Sequence, residues 1–200
     1  MWKWLGGCLV VIILCLIGFS WWGYRAMRGS LEPDGSVRVA IAATPERVFT
    51  TMANSDSVSQ WIGQGNTVSA SQPGIFVPGS RIRITLRSTA GIPQEPMDWV
   101  VREVVPNQLL VRELQTNKGQ SVALRRDSLM AKGDSTIVIS RTVSPMIDSI
   151  VVATDRKKGT TNGGMAGVTG ELMVSMFRFQ SKIELQTLKG HIEGKPVVRK

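Results

Sequence analysis

The N-terminal segment constrains this chain most, because residues 5–22 contain no charged side chain and are strongly apolar at their centre. A helix of about 20 residues, rising ~1.5 Å per residue, spans the ~30 Å hydrocarbon layer of a bilayer. Aromatic side chains favour the headgroup regions of a bilayer, and they flank both ends of this segment. These are Trp2, Trp4, Trp21, Trp22 and Tyr24. We therefore predict a transmembrane anchor over residues 1–24.

Two other interpretations of this segment stay open. A cleaved signal peptide is one, because Lys3 precedes the apolar run and the small residues Gly18 and Ser20 follow it. A buried core helix is the other. We favour the retained anchor, because paired tryptophans at its end serve no purpose in a signal that is removed. Basic residues occur on both sides of the segment, so the positive-inside rule does not indicate which side of the membrane the following residues occupy.

The remainder of the chain is long enough for one domain with a single core. We expect a juxtamembrane linker at 25–35, the domain at 36–194 and a basic tail at 195–200. Cys8 and Cys15 both lie in the predicted anchor, and His191 is the only histidine. This distribution argues against a disulfide, a cysteine or multi-histidine metal site and a histidine-based triad in the domain. We expect neither a metal nor a cofactor.

The net charge of +9 indicates an anionic partner or simply a well-solvated surface. The sequence has no zinc-ligand spacing and no recognition-helix pattern, so we expect no nucleic-acid partner. A basic domain tethered beside anionic headgroups gains roughly 1 kcal/mol for each well-placed Lys or Arg. We prefer the membrane surface as the partner, and no particular protein partner is indicated.

The hydrophobic pattern predicts an α+β domain. Apolar and polar residues alternate over 36–43, as in a strand, and Thr44, Pro45 and Glu46 then have the features of a helix start. A second short helix is predicted near 56–62. Strands follow at 66–71, 80–88, 97–105, 108–115, 120–130 and 135–143, with connections short enough for an antiparallel meander. A long amphipathic helix at 168–192 is the element that can cover this sheet. Residues 144–167 show no clear pattern.

Several motifs in this order are shared with a known superfamily. They are residues 37–49 (VRVAIAATPERVF), Trp61, residues 78–81 (PGSR), 101–107 (VREVVPN), 135–138 (STIV) and 185–194. Over about 35–194 the chain resembles the START-like or SRPBCC superfamily, and within it the polyketide cyclase/dehydrase-like members. The resemblance implies a helix-grip fold, in which a curved antiparallel sheet wraps around the C-terminal helix and two short helices follow the first strand. It also implies an apolar cavity, since members bind lipids, sterols, quinones or polyketides and some catalyse cyclisation or hydrolysis.

The candidate pocket residues are the apolar side chains that share a face on two strands and on the last helix. On the strands these are Ile82, Ile84, Leu86, Trp99 and Val101; on the helix they are Leu172, Met176, Phe179 and Ile183. They either line a ligand cavity or fill a solid core, and the pattern does not separate these two possibilities. Trp61 is expected to be a core residue.

Charged residues on the strands give two further predictions. An acid or base inside an apolar cavity would have a pKa shifted by burial, and strand parity places Glu103 on the same face as Trp99 and Val101. Glu103 is therefore the best candidate for catalysis, although a salt bridge at the end of a strand is the more ordinary role. The second prediction is a cationic outer face that carries Arg81, Arg83 and Arg87, joined by Arg102, Arg112 or Arg141.

Three functions are compatible with these patterns. We expect a membrane-anchored domain that binds a lipid or another hydrophobic small molecule, for transport or sensing. The first alternative is a cyclase- or hydrolase-type enzyme that acts on a hydrophobic substrate. The second is a protein-interaction module with a filled core. Because only Glu103 offers a polar group for catalysis, binding is favoured over an enzymatic role.

Overall fold

The fold was determined as a computed structural model. It describes residues 36–62, 67–85, 95–144 and 165–194, with only the backbone described at 165–174. The predicted anchor at 1–24, the linker at 25–35, the basic tail at 195–200 and most of 144–167 lie outside these ranges. Within them, no helix has the length and apolarity needed to cross a membrane.

The described residues form an antiparallel sheet with helices on one face. The strands are β1 (Val37–Ile41), β2 (Thr67–Ala70), β3 (Arg81–Thr85), β4 (Met97–Val105), β5 (Leu109–Gln115), β6 (Ser121–Lys132) and β7 (Ser135–Val143). The helices are α1 (Pro45–Ala53), α2 (Ser55–Trp61) and α3 (Met165–Glu193). The strand order is β1-β7-β6-β5-β4-β3-β2, and every neighbouring pair is antiparallel. The predicted meander, curved sheet and long terminal helix are confirmed.

Local sequence signals explain where these elements begin and turn. The Thr44 side-chain oxygen accepts a hydrogen bond from the backbone N–H of Arg47 at 3.4 Å, and Pro45 occupies the first helical position of α1. Asn54 caps α2 in the same way by accepting from the N–H of Asp56 at 2.8 Å. β6 and β7 are joined by a two-residue turn in which Gly133 has φ +56°. Glycine suits this position because it tolerates positive φ.

α3 packs over β1 and β7 and against α1 and α2. Its C-terminal end is held by three hydrogen bonds, one each to β1, to the connection after β1 and to α1. The N–H of Ala42 donates to Glu193 Oε1 at 2.8 Å, Lys189 Nζ donates to the carbonyl of Ala40 at 2.5 Å, and Arg47 Nη2 donates to the carbonyl of Ile192 at 3.3 Å. These bonds fix which face of the helix meets the sheet.

The face of α3 that packs into the core is not the predicted one. Its buried side chains are Ser181, Glu184, Leu185, Thr187, Leu188 and Ile192. Met176, Phe179 and Ile183 are instead 57%, 40% and 42% exposed, so the predicted orientation of the helix is wrong for them. The physical reason is that Leu185, Leu188 and Ile192 form a second apolar stripe on the last turns of α3. The hydrogen bonds at the C-terminal end of the helix turn this stripe toward the core.

Candidate ligand-binding site

The inner face of the sheet, which meets the helices, is mostly apolar. Ile82 on β3, Trp99 and Val101 on β4, and Leu110 and Leu114 on β5 all belong to the core cluster. The register places Ile82 opposite Trp99 and Trp99 opposite Leu114, so these side chains form a continuous row across three strands. The next inward positions of β5 and β6 carry charges in place of apolar groups.

Arg112, Arg125, Asp127 and Glu184 form a fully or almost fully buried group of charges, which we call the interior charge cluster. Arg112 on β5 lies directly opposite Arg125 on β6, and both side chains point inward. Two like charges directly opposite each other destabilise a sheet unless a counter-charge accompanies them. Asp127, two residues along β6 on the same face, supplies one counter-charge, and Glu184 on α3 supplies the other.

Asp127 bridges the two arginines. Its Oδ2 accepts a hydrogen bond from Arg112 Nη2 at 2.7 Å, and its Oδ1 accepts one from Arg125 Nε at 2.9 Å. Arg125 Nη1 also donates to Glu184 Oε2 at 2.5 Å, which ties the middle of the sheet to α3. Gln180, one turn earlier on the helix, donates to the other carboxylate oxygen of Glu184 at 3.1 Å.

The two arginines differ in how well they are neutralised. Burial lowers the pKa of Arg112 because removal from water disfavours its cationic form. Burial acts in the same direction on Arg125, but the charges of Asp127 and Glu184 outweigh it and raise the pKa of Arg125. Burial opposes ionisation of Asp127 too, yet the two arginines hold the pKa of this carboxyl below its ordinary value. Asp127 therefore stays ionised at neutral pH.

Arg112 has unused hydrogen-bonding capacity. Its guanidinium carbon lies 5.5 Å from the ring centroid of Trp61 and 5.6 Å from that of Trp99, so two aromatic rings contact the cation. Its Nε and Nη1 are buried and have no acceptor in the described part of the chain, and the same holds for Nη2 of Arg125. Buried donors that stay without a partner are costly, so these atoms favour a bound group that can accept hydrogen bonds.

The predicted pocket residues divide into three groups. Ile82, Ile84, Trp99 and Val101 are buried on the inner face, as the strand pattern indicated. Met176, Phe179 and Ile183 are exposed on the opposite side of α3, as described above. Leu86 lies outside the described residues, and so does the side chain of Leu172. Whether any of these residues contacts a ligand stays a prediction.

Glu103 lies on the outer face, contrary to the parity argument. The pairing of β4 with β5 shifts between Val101 and Glu103, where a bulge inserts one extra residue. Val101 pairs with the inward Arg112, but Glu103 pairs with Val111, which faces outward. The bulge therefore reverses the inside–outside alternation, and Glu103 is exposed. It cannot act as an acid or base inside the core.

The outer face is not the purely cationic surface that the arginines predicted. Arg83 donates to both carboxylate oxygens of Asp98, at 2.8 and 3.0 Å, and this hydrogen bonding is the main reason why the pKa of Asp98 is lowered. Arg102 donates through Nε and Nη2 to a single oxygen of Glu113, Oε2. Hydrogen bonding from Ser121, followed by that from Arg102, lowers the pKa of Glu113. Carboxylates thus offset part of the positive charge.

Arg102, Arg112 or Arg141 was expected to join the outer cationic face, and for Arg112 this expectation is wrong, because its side chain is fully buried on the inner face. The sequence did contain the relevant signal, because Leu110, Arg112 and Leu114 occupy alternate positions and therefore share one face. On β6, Ala123, Arg125, Asp127 and Leu129 do the same, and all four are buried. The prediction for Arg112 followed the general rule that charged side chains point to solvent and did not follow this alternation. The sequence around Glu184 on α3 gave no comparable signal that this side chain is buried.

Among the described residues no cluster of His, Cys, Asp and Glu could hold a metal ion.

Comparison with known proteins supports the fold and leaves the family open. No protein-family model matches the sequence, and no curated protein matches it. Among solved structures, the chain is similar to DynU16, a protein of the dynemicin biosynthetic locus (TM-score 0.53, 18% identity), over 80% of this chain and 48% of that one. It thus spans about half the length of DynU16.

Two further solved structures match over most of their own length. Protein Ms6760 from Mycobacterium smegmatis matches with a TM-score of 0.54 and 9% identity, over 80% of this chain and 90% of that one. The KanY protein matches with a TM-score of 0.51 and 15% identity, over 80% of this chain and 96% of that one. The three structures have the SRPBCC or polyketide cyclase-like fold. At these identities the likeness shows the fold alone.

Proposed function

We propose that this domain binds a hydrophobic small molecule or lipid between the inner face of the sheet and α3. The observation that carries the proposal is the environment of Arg112, a buried cation with unpartnered donors beside Trp61 and Trp99. Small-molecule sites are mostly apolar and contain a few convergent polar groups, and this interior has that composition. The similar solved structures support the architecture in which such a site would lie.

Binding would be driven by removal of apolar surface from water. Each Å² of apolar surface that leaves water contributes about 25 cal/mol. The inner-face row of Ile82, Trp99 and Leu114 supplies the apolar contacts, while Arg112 orients the molecule through a hydrogen bond. A ligand of this kind is poorly soluble, so the domain needs a source of it.

The N-terminal segment would place the domain near such a source. Residues 1–24 have the length and the aromatic ends of a membrane anchor, and the chain carries a net charge of +9 that favours anionic headgroups. In this proposal the bilayer supplies the ligand and the anchor keeps the domain beside it.

The two alternatives differ in their support. An enzymatic role lacks a free acid or base in the described interior, because Glu103 faces outward and Asp127 and Glu184 are both engaged in ion pairs. A protein-interaction role is favoured by one observation, the exposed apolar side chains of Met176, Phe179 and Ile183. It would predict a partner on α3 and an interior without a ligand.

Native mass spectrometry of the full chain, purified in mild detergent from its native membrane, tests the proposal. A co-purifying hydrophobic mass is expected. Lipid held only by the anchor would give the same signal, so two matched variants are needed. Val101→Phe adds bulk on the inner face, and Val100→Phe adds the same bulk at the neighbouring outward position.

The outcome depends on which variant loses the mass, with circular dichroism confirming that both variants fold. Loss in Val101→Phe and retention in Val100→Phe supports an interior site. Equal retention in both variants shows that the molecule is bound elsewhere and contradicts the proposal. A consistently empty wild-type protein that captures a protein partner through α3 favours the interaction module.

A further inference from the structure

We infer that the molecule bound in the interior carries a neutral hydrogen-bond acceptor, such as the carbonyl of a ketone, ester or quinone, and that Arg112 donates to it. This inference rests on the proposed function and deepens it by naming the chemical class of the ligand. It follows from two properties of the interior charge cluster, namely its unpartnered donors and its net charge.

The donors require an acceptor. Arg112 is fully buried, and among its guanidinium nitrogens only Nη2 has a hydrogen-bond partner in the described chain. Nε and Nη1 together carry three N–H groups. The adjacent Nη2 of Arg125, from the neighbouring strand, is unpartnered as well. A purely hydrocarbon ligand would leave all of these donors unsatisfied in a dry site, so an acceptor on the ligand is favoured.

The net charge selects a neutral acceptor over an anion. The cluster contains two cations, Arg112 and Arg125, and two anions, Asp127 and Glu184, so its formal charge is zero. An ionised carboxylate or phosphate would bring one uncompensated negative charge into a region where Arg112 and Asp127 have no solvent exposure. Burying an unbalanced charge is strongly unfavourable, whereas a carbonyl oxygen accepts the same hydrogen bonds and adds no charge.

The cluster would hold Arg112 in position for this role. Asp127 fixes one side of the guanidinium at 2.7 Å and is itself fixed by Arg125, while the rings of Trp61 and Trp99 contact the planar group. A guanidinium held in this way loses little conformational freedom when a ligand binds. Arg112 is therefore expected to determine specificity, whereas the apolar row determines how much hydrocarbon is accepted.

A competition experiment on the full chain in detergent tests the inference. The protein is offered an equimolar mixture of a long-chain methyl ketone, the alkane of equal length and the fatty-acid carboxylate of equal length at neutral pH. Native mass spectrometry then measures the ratios of the bound species. Each ratio is compared between wild type and variant in the same micelles, so that partitioning into detergent cancels.

Two variants separate the donors from the charge. Glu184→Gln leaves the Arg112 donors in place but gives the cluster a net charge of +1. Arg112→Met combined with Glu184→Gln removes the donors and restores a net charge of zero. Circular dichroism establishes that both variants are folded before they are compared.

The wild type is expected to prefer the ketone over the alkane by about tenfold or more, the factor associated with a hydrogen bond from a charged donor. It should also prefer the ketone over the carboxylate. Glu184→Gln should raise the carboxylate-to-ketone ratio about tenfold, because charge-assisted hydrogen bonds are roughly twice as strong as neutral ones. The double variant should lose the preference for ketone over alkane.

Three outcomes overturn the inference, and they differ in what they leave standing. Equal binding of ketone and alkane by the wild type would show that buried water satisfies the Arg112 donors, while the proposed function survives. A wild-type preference for the carboxylate would show that the ligand class is anionic. Failure of all three probes to bind contradicts the proposed function itself.

Discussion

The substitution Asp127→Asn would remove the negative charge that bridges the two buried arginines, Arg112 and Arg125. In the wild type, Asp127 accepts hydrogen bonds from Arg112 at 2.7 Å and from Arg125 at 2.9 Å, and none of the three side chains is more than 1% exposed. Asp127→Asn preserves the size of the side chain but leaves Arg112 and Arg125 directly opposite each other, with Glu184 as the one counter-charge that the described residues supply. We expect a large loss of stability.

The magnitude follows from the burial of the pair. Removing one partner of a buried ion pair costs about 3–5 kcal/mol, because the charge that remains is neither solvated nor compensated. Small domains are stable by about 5–15 kcal/mol, so this loss is a large fraction of the total. With a urea dependence of about 1–3 kcal/mol per molar, the midpoint of unfolding should fall by at least about 1 M.

Asp98→Asn is the matched control for this prediction. Asp98 also accepts two hydrogen bonds from an arginine on a neighbouring strand, but its partner, Arg83, is 58% exposed at the outer face. Exposed ion pairs contribute little, because water solvates the cation that is left behind. The Asp98→Asn midpoint should therefore lie close to that of the wild type.

Urea unfolding of the full chain in a non-ionic detergent, followed by tryptophan fluorescence, measures both variants. Equal midpoint shifts in the two variants would refute the reasoning, since they would show that burial of Asp127 does not determine its contribution to stability.

The pH dependence of the free energy of unfolding gives a second test of the role of Asp127. Because the pKa of folded Asp127 lies below its ordinary value of 3.8, its stabilising effect is complete above about pH 5 and is lost as the pH falls below about 4.

Three further predictions concern the helices and the predicted catalytic residue. Leu188→Ala should lower the free energy of unfolding by about 2–5 kcal/mol through cavity formation, whereas Ile183→Ala, on the exposed side of α3, should change it little; equal urea midpoints would contradict the observed helix orientation. Thr44→Ala should cost about 1 kcal/mol by removing the cap of α1, and thermal unfolding would show no shift if the cap is irrelevant. Glu103→Gln should leave ligand capture by native mass spectrometry unchanged, because Glu103 lies on the outer face; loss of capture would place it in the site.

The fold could be predicted because its signals are local. Period-two alternation identified the strands, short connections identified the antiparallel order, and Thr44 with Pro45 identified the start of α1. The inward face of a strand was recoverable wherever alternation continued without interruption, as in Ile82 and Ile84 on β3. These signals need no knowledge of distant residues, so a single sequence contains them.

The errors arose where distant contacts decide the outcome. Glu103 was misplaced because a bulge at Val101 is set by the pairing with β5 and leaves no clear mark in the sequence of β4. Ile183 was misplaced because α3 carries two apolar stripes, and the tether at the Glu193 end selects between them. Arg112 was misplaced although its alternation with Leu110 and Leu114 marks it as inward, because the counter-charges that make its burial tolerable come from β6 and α3 and are not visible in β5 itself.

A crystal structure of the full chain, purified with its native lipids, tests the central claim most directly. The account predicts a void of a few hundred Å³ between the inner face of the sheet and α3. It further predicts elongated non-protein density there, with one end within about 3 Å of Arg112 Nε or Nη1. An interior filled by the protein's own side chains, with ordered water on those two nitrogens, would contradict it.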